Sequence, residues 1–263
     1  MVIGAGPAGM EAAITARRRG HSVTVFDKAD KIGGNLAAYA ANDLARPADL
    51  QSVIDYYGVM AKKLGVEVRL NTEANAKFMR SVLHEYDACI VAAGARTDME
   101  VFRYMPGAEL LIDALEIAHG RKTVGKRVVM IGGGMIGLTI AEFLQKAGHE
   151  VTVVEKEKRV GGDIMPTFKW RHTAWVDELG IETVCSAELV KVTAEGATVK
   201  AAKGGERFIP CDNVIVSSPR RANHDLFYEF QWMVDELHGG GDATVPRGLD
   251  AAIQEGYKLG VRI

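Results

Sequence analysis

The sequence predicts an α/β fold made of two successive parallel-sheet units, and three observations carry that reading. A Gly-x-Gly-x-x-Gly turn at Gly4, Gly6 and Gly9 follows a short apolar strand and opens a helix. A second such turn, at Gly132, Gly134 and Gly137, follows the strand-like run 126–131, apolar from Val128 on. The register between the two holds far beyond the glycines, at a constant offset of 128 residues (Gly4 to Gly132). Ala13 corresponds to Ala141, Gly20-His21 to Gly148-His149, and Val23-Thr24-Val25 to Val151-Thr152-Val153. Asp27 then falls on Glu155, and Gly33-Gly34 on Gly161-Gly162. One offset held over so long a stretch marks a duplicated unit.

The elements follow in order. Only residues 1–3 precede Gly4, short for a first strand, so Met1 reads as an interior methionine and the chain as a fragment of a longer protein. Residues 10–19 continue a helix whose Ala12, Ala13 and Ala16 let it lie close to a sheet, and Gly20 stops it. Residues 22–26 are β-branched and alternating, a second strand ending at Asp27. The stretch 28–36 that follows contains Gly33-Gly34-Asn35-Leu36. Pro47 opens a helix with Leu50, Val53, Ile54, Tyr57 and Ala61 at helical spacing, ended by Gly65. The copy repeats this from Pro166 to Leu179-Gly180, and a short strand follows each helix, at 66–70 and 181–184.

The units then diverge. The first has a short helix at 77–84 and a buried strand at 89–95. The second has a three-stranded meander at 188–193, 197–202 and 206–209, returning to its sheet through 214–217. Residues 96–125 read as linker, with Pro106-Gly107 and a helix around 113–119. The last segment supplies Gly239-Gly240-Gly241-Asp242 and then a helix over about 248–259.

Composition narrows the function. The 263 residues are 48% hydrophobic and 25% charged, ordinary for a globular protein with real cores. A net charge of -2 gives no electrostatic case for nucleic acid or an anionic membrane. No apolar run approaches the ~20 residues of a membrane span, and the start carries no signal-peptide pattern, so a cytoplasmic location is expected. Cys89, Cys185 and Cys211 are far apart in apolar or strand-like settings, which predicts buried structural thiols and no metal site. The stretch Phe168-Lys169-Trp170-Arg171-His172 reads as an amphipathic packing face, with contact to a missing domain as the alternative.

The glycine turns carry the chemistry. In such a turn the first glycine makes the tight bend, the second lets a pyrophosphate approach the backbone, and the third lets helix and strand pack closely. The helix N-terminus then offers unpaired N–H groups and partial positive charge to the phosphates. An acid ending the second strand accepts hydrogen bonds from a ribose. Asp27 and Glu155 each stand 18 residues past their third glycine, close to the spacing of about 20 that this geometry needs. Two bound dinucleotides are therefore expected. Gly241-Asp242, ahead of the last helix, suits a ribityl chain of the first cofactor, with a helix-capping aspartate as the plainer alternative.

The same residues carry a resemblance. Val2 to Ala13, Asp27 to Leu36, Val91-Ala92-Ala93-Gly94-Ala95, the turn at Ile131 to Gly137, and Gly241-Asp242 with Ile253-Gln254-Glu255-Gly256-Tyr257 resemble the two-dinucleotide-binding-domain flavoproteins. Within these the chain is most similar to the C-terminal FAD/NAD(P)-binding region of multidomain old-yellow-enzyme relatives, the 2,4-dienoyl-CoA reductase and enoate reductase group. The resemblance implies two Rossmann-like domains in the glutathione-reductase manner, the second with an inserted β-meander. It implies a discontinuous FAD-binding domain at 1–105 and 218–263 and an NAD(P)-binding domain at 106–217. Gly4, Gly6, Pro7, Ala8 and Gly9 would face the FAD pyrophosphate, and Asp27 with Lys28 the adenosine ribose. Gly34, Asn35 and Leu36 would line the middle of the cofactor, with Ala93-Gly94 passing close. Asp242, beside Gly241, would hold the ribityl side, and Leu249 would approach the flavin. Gly132, Gly134, Met135, Ile136, Gly137, Glu155 and Lys156 would take the nicotinamide dinucleotide. NADH is expected over NADPH because Glu155 repels a 2′-phosphate, with Lys156, Lys158 and Arg159 as the counterweight.

Two departures stand out: Leu138-Thr139 occupy the place where a glutamate often follows the third glycine, and Ser217-Ser218-Pro219 replace an alanine-glycine pair. The implied activity is NAD(P)H reduction of FAD, with electrons passing to an FMN/iron–sulfur barrel or a separate redox partner absent from this chain and serving enoate or enoyl-CoA reduction. No catalytic acid or base is required. The alternatives are a nucleotide-binding module holding ADP or FAD without hydride transfer, and a free-standing NADH:acceptor reductase. A thioredoxin-reductase-like activity fails for want of a cysteine pair.

Overall fold

The computed structural model describes residues 1–41 and 47–263. In order these are β1 (Val2–Ile3), α1 (Pro7–Arg18), β2 (Thr24–Phe26), α2 (Asn35–Ala41), α3 (Pro47–Leu64), β3 (Glu67–Arg69), α4 (Ala76–Val82) and β4 (Ala88–Val91). Next come β5 (Ala95–Thr97), β6 (Leu111–Asp113), α5 (Ala114–Ala118), β7 (Arg127–Ile131), α6 (Met135–Lys146), β8 (Glu150–Glu155), α7 (Pro166–Glu178) and β9 (Glu182–Cys185). The meander is β10 (Ala187–Thr193), β11 (Gly196–Ala201) and β12 (Glu206–Pro210). β13 (Asn213–Val216), β14 (Arg220–Ala222), α8 (Asp225–Phe230), β15 (Glu236–Gly239) and α9 (Leu249–Arg262) follow. The chain divides into two compact units. One comprises residues 1–40, 47–96 and 221–263, the other residues 97–220.

The first unit is built on a parallel sheet in the order β15-β4-β1-β2-β3. Alternation along its strands sends side chains to two cores. Val2, Val25 and Ile90 pack with Ala12, Ala13 and Ala16 of α1 and Tyr57 of α3. Their neighbours Ile3, Phe26, Cys89 and Val91 pack on the other side with Met79 of α4 and Phe230 of α8. The alanines of α1 are fully buried, so the helix axis lies close to the sheet and its N-terminus is fixed just beyond the strand ends.

The second unit repeats the plan in the order β6-β13-β7-β8-β9, again all parallel. Its edge strand β6 precedes the glycine turn in sequence, whereas the equivalent edge strand β15 comes from the last part of the chain. Val129, Ile131, Val154, Val214 and Val216 form a core with Leu189, Val192, Ala197, Val199 and Ile209, so the meander covers the face that α4 and α8 cover in the first unit.

Several expectations need correction. The buried strand expected over 89–95 stops at Val91; Ala92 to Gly94 turn, and Ala95 begins β5. The presumed linker contains β6, an edge strand of the second sheet paired to β13. The aromatic residues of the 168–172 stretch do not pack: Phe168 is 55% and Trp170 64% exposed. It is His172 that turns inward, hydrogen-bonded through Nδ1 to buried Glu142 of α6 at 2.8 Å. Among the described residues no helix is long and apolar enough to cross a membrane.

Candidate functional site

In the first unit, β1 feeds directly into the glycine turn. Gly4 has φ +106°, and its N–H donates to the Phe26 carbonyl at 2.8 Å. A Cβ on Gly4 would strike the Ala92 carbonyl, and one on Gly9 the Gly4 carbonyl, so neither position tolerates a side chain. Gly6 differs: a Cβ there would have nothing within 4 Å, which leaves open space over the start of α1. Pro7 is the first helical residue, pre-set for the turn and without an N–H of its own.

Asp27 braces this turn. Its Oδ2 accepts the Ala5 N–H at 2.6 Å and its Oδ1 the Ala29 N–H at 2.8 Å, which ties the end of β2 to the residue between the first two glycines. Lys28 beside it is exposed. The following loop is clasped by Gly33 N–H donating to the Ala5 carbonyl at 2.8 Å. A Cβ on Gly34 would lie 3.2 Å from the Gly6 Cα, so the loop passes close over the turn and brings half-buried Asn35 and Leu36 with it. The Asn35 amide donates to the Ala95 carbonyl at 3.4 Å. Ala93 and Gly94 are held by Asn223, whose side chain donates to the Ala93 carbonyl and whose N–H donates to the Gly94 carbonyl, both at 3.0 Å.

From the far end of the chain, Gly241 (φ +64°) meets the start of α1: a Cβ on it would sit 2.6 Å from the Ala8 Cβ. Its N–H donates to Glu255 Oε2 at 2.7 Å, and Glu255 also pairs with Arg247. The Arg247 N–H donates to Asp242 Oδ1 at 3.0 Å, and Leu249 opens α9. The structure thus gathers Gly4 to Gly9, Asp27, Gly34 to Leu36, Ala93-Gly94 and Gly241-Asp242 around one helix start. Asn223, Arg247 and Glu255 were missed as supports, since a lone Asn, Arg or Glu has no sequence signature.

The second unit repeats the braces of the glycine turn. Gly132 has φ +99°, its N–H donates to the Val154 carbonyl at 2.9 Å, and a Cβ on Gly137 would strike the Gly132 carbonyl. Buried Glu155 accepts the Gly133 N–H at 2.6 Å through Oε2 and the Glu157 N–H at 2.9 Å through Oε1. Gly161 N–H donates to the Gly133 carbonyl at 2.6 Å. Lys156 is exposed.

The departures have structural accounts. Leu138 and Thr139 are buried in the inner face of α6. Ser217 takes the place of Ala92, its N–H donating to the Ile131 carbonyl as the Ala92 N–H does to that of Ile3. Its buried hydroxyl lies 3.0 and 3.1 Å from the carbonyls of Ile131 and Gly132, a further brace on the turn. One difference touches the site itself: Asp163 Oδ1 accepts the N–H of Met135, the first residue of α6, at 2.9 Å.

The thiols take no part. All three cysteines are free. Burial pushes the Cys89 thiol up to about 12 and raises that of Cys211, so neither is a thiolate at neutral pH. Cys185, expected to be buried, is half-exposed.

The donor sets fit dinucleotides by their own chemistry. Each unit offers a glycine turn and a helix start, with a carboxylate whose remaining lone pairs can accept from a ribose. In the first unit the space over Gly6 is clear, while in the second the Asp163 carboxylate stands at the helix start.

Comparison with known proteins agrees. The pyridine nucleotide-disulphide oxidoreductase family model matches residues 1–240. A cinnamate reductase of Clostridium sporogenes is 30% identical over 269 residues, covering 100% of this chain and 39% of that protein. A metal reductase of Desulforamulus reducens is 27% identical over 293 residues, covering 100% of this chain and 43% of that protein. Among solved structures, a 2-naphthoyl-CoA reductase complex superposes with a TM-score of 0.91 at 31% identity, over 100% of this chain and 39% of that one. The chain therefore spans about two fifths of the length of these relatives. It belongs to the pyridine nucleotide-disulphide oxidoreductase family, oxidoreductases that use FAD and NAD(P)H.

Proposed function

We propose that the first unit holds FAD, the second holds NADH, and electrons leave the FAD for a redox centre outside this chain. The observation that carries the reading is the repeated brace: in both units an acid at the end of the second strand ties down the N–H groups of the glycine turn. Bound together, the two cofactors supply hydride transfer; the chain supplies binding and orientation. In the first unit the N-terminus of α1 would receive the pyrophosphate, Asp27 the adenosine ribose and Asp242 the ribityl side, with Gly34, Asn35, Leu36, Ala93 and Gly94 along the cofactor. In the second, Gly132, Gly134, Met135, Ile136 and Gly137 would receive the pyrophosphate and Glu155 the ribose.

The outside centre is proposed to be a further domain or partner carrying FMN and an iron–sulfur cluster. The share of each relative that this chain leaves uncovered supports it. The names cinnamate reductase and 2-naphthoyl-CoA reductase support an unsaturated or aromatic acyl compound as the final acceptor. NADPH is a second reading, favoured by a cavity of about 630 Å³ whose charged lining, Lys158, Arg159 and Lys169 against the one carboxylate of Asp177, is net positive and suits a 2′-phosphate.

The test is the ligand that the purified protein carries. Yellow protein that releases FAD on denaturation, and is bleached by NADH without oxygen, is the expected result. Release of ADP alone, or of nothing, would turn the reading to a nucleotide-binding module without redox chemistry.

A further inference from the structure

The duplication supplies an internal control for one residue. At the constant offset of 128, Asp163 corresponds to Asn35, and each follows a Gly-Gly pair. The two loops are clasped alike, through Gly33 N–H to the Ala5 carbonyl and Gly161 N–H to the Gly133 carbonyl. There the likeness ends. The Asn35 side chain donates to the Ala95 carbonyl, and the space over Gly6 is open to 4 Å. Asp163 instead accepts the Met135 N–H at 2.9 Å, and a Cβ on Gly134 would lie 2.7 and 2.9 Å from its two carboxylate oxygens. The residue equivalent to Met135 is Pro7, which has no N–H with which to hold a carboxylate. An anion thus stands in the second unit at the position left clear in the first.

That position is where this class of turn receives a pyrophosphate, on the first N–H groups of the helix. One N–H cannot serve both acceptors, and two anions at one helix start repel. We propose that Asp163 is an internal competitor for the pyrophosphate of the nicotinamide dinucleotide: its carboxylate must leave the start of α6 before the nucleotide seats. Asp163 is exposed, so it can swing into water with little loss of packing. The consequence is a dinucleotide held less tightly than the turn alone would allow, and released faster. This rests on the assignment of NAD(P)H to the second unit.

ADP-ribose, which carries the pyrophosphate without the nicotinamide, is the probe. Its affinity for the full FAD-loaded chain is measured by calorimetry for the wild type, Asp163→Ala and Asp163→Asn. Retained FAD reports that the variants fold. Roughly three- to tenfold tighter binding is expected for Asp163→Ala, from the size of a helix-terminus charge interaction plus the relieved repulsion. Asp163→Asn, which keeps an acceptor oxygen but loses the charge, is expected to fall between. NADH dissociation followed by stopped flow should slow in the same order. Unchanged or weaker binding in both variants, with the wild type binding measurably, would overturn the proposal while leaving the second-unit assignment in place. No binding by any of the three proteins would overturn that assignment and the proposal with it.

Discussion

At the scale of single residues, the two acids do more than wait for a ribose. Glu155 is 8% exposed, and both its oxygens accept backbone N–H groups, from Gly133 and from Glu157. Hydrogen bonds to a charged acceptor contribute about 1.5–3 kcal/mol each, and removing the acceptor leaves the buried Gly133 N–H unpaired. Glu155→Ala is therefore expected to lose about 2–4 kcal/mol of stability by urea unfolding, well above the ~1 kcal/mol of a typical substitution. If Glu155 also touches the ribose, the same variant will narrow the preference for NADH over NADPH in a binding titration. A stable variant would contradict the bracing role; an unchanged ratio would separate bracing from ribose contact. The acids were legible in the sequence because their distance from the third glycine is set by the length of one helix and one strand. Asp163 was legible in principle, through its offset from Asn35. A single aspartate after two glycines, however, reads as an ordinary loop residue until the turn it faces is seen.

At the scale of elements, the most sequence-specific contact is that of α9 on α1. Gly256 and Gly260, one turn apart, press α9 onto the α1 backbone: a Cβ on the first would strike the Ala8 carbonyl, and one on the second would come within 2.6 Å of the Thr15 Cβ. Alanine gains about 1 kcal/mol over glycine in a helix interior, whereas forcing atoms into a filled contact costs about 1–3 kcal/mol. Because the clash at Gly256 is with backbone, Gly256→Ala is expected to lose about 1–2 kcal/mol despite its better helix propensity, and Gly256→Leu to lose more. FAD content should fall with it, because α9 follows Gly241-Asp242 and Gly241 itself abuts Ala8. Tyr257→Ala, at a position 54% exposed, is the control and should change neither. Full FAD occupancy in Gly256→Leu would mean that this helix pair does not position the site. The long elements were readable from glycine, proline and apolar spacing alone. The shortest were not: β6 has three residues and exists by pairing with β13, and nothing in Leu-Ile-Asp announces a partner a hundred residues on.

At the scale of the molecule, the duplication is unequal in a way that bears on folding. The first unit is assembled from separated parts of the chain, and its outermost strand, β15, comes from the last part. In the second, one run, Thr97–Arg220, contains all five strands of its sheet, the meander and the core between them. The sequence made the repeat visible because glycines and acids tolerate few replacements. It hid this asymmetry, because strand order depends on long-range pairing that no local pattern encodes. A continuous segment with its own sheet and core has what an independent domain requires. Residues 97–220 expressed alone are therefore expected to unfold in one cooperative urea transition, with native-like near-ultraviolet circular dichroism. A broad, non-cooperative transition would mean that the second unit draws its order from the first. The complementary polypeptide, residues 1–96 joined by a flexible linker to 221–263, is expected to fold only if α9 finds α1 across that linker, because β15 and α9 complete its sheet and its cofactor-facing end.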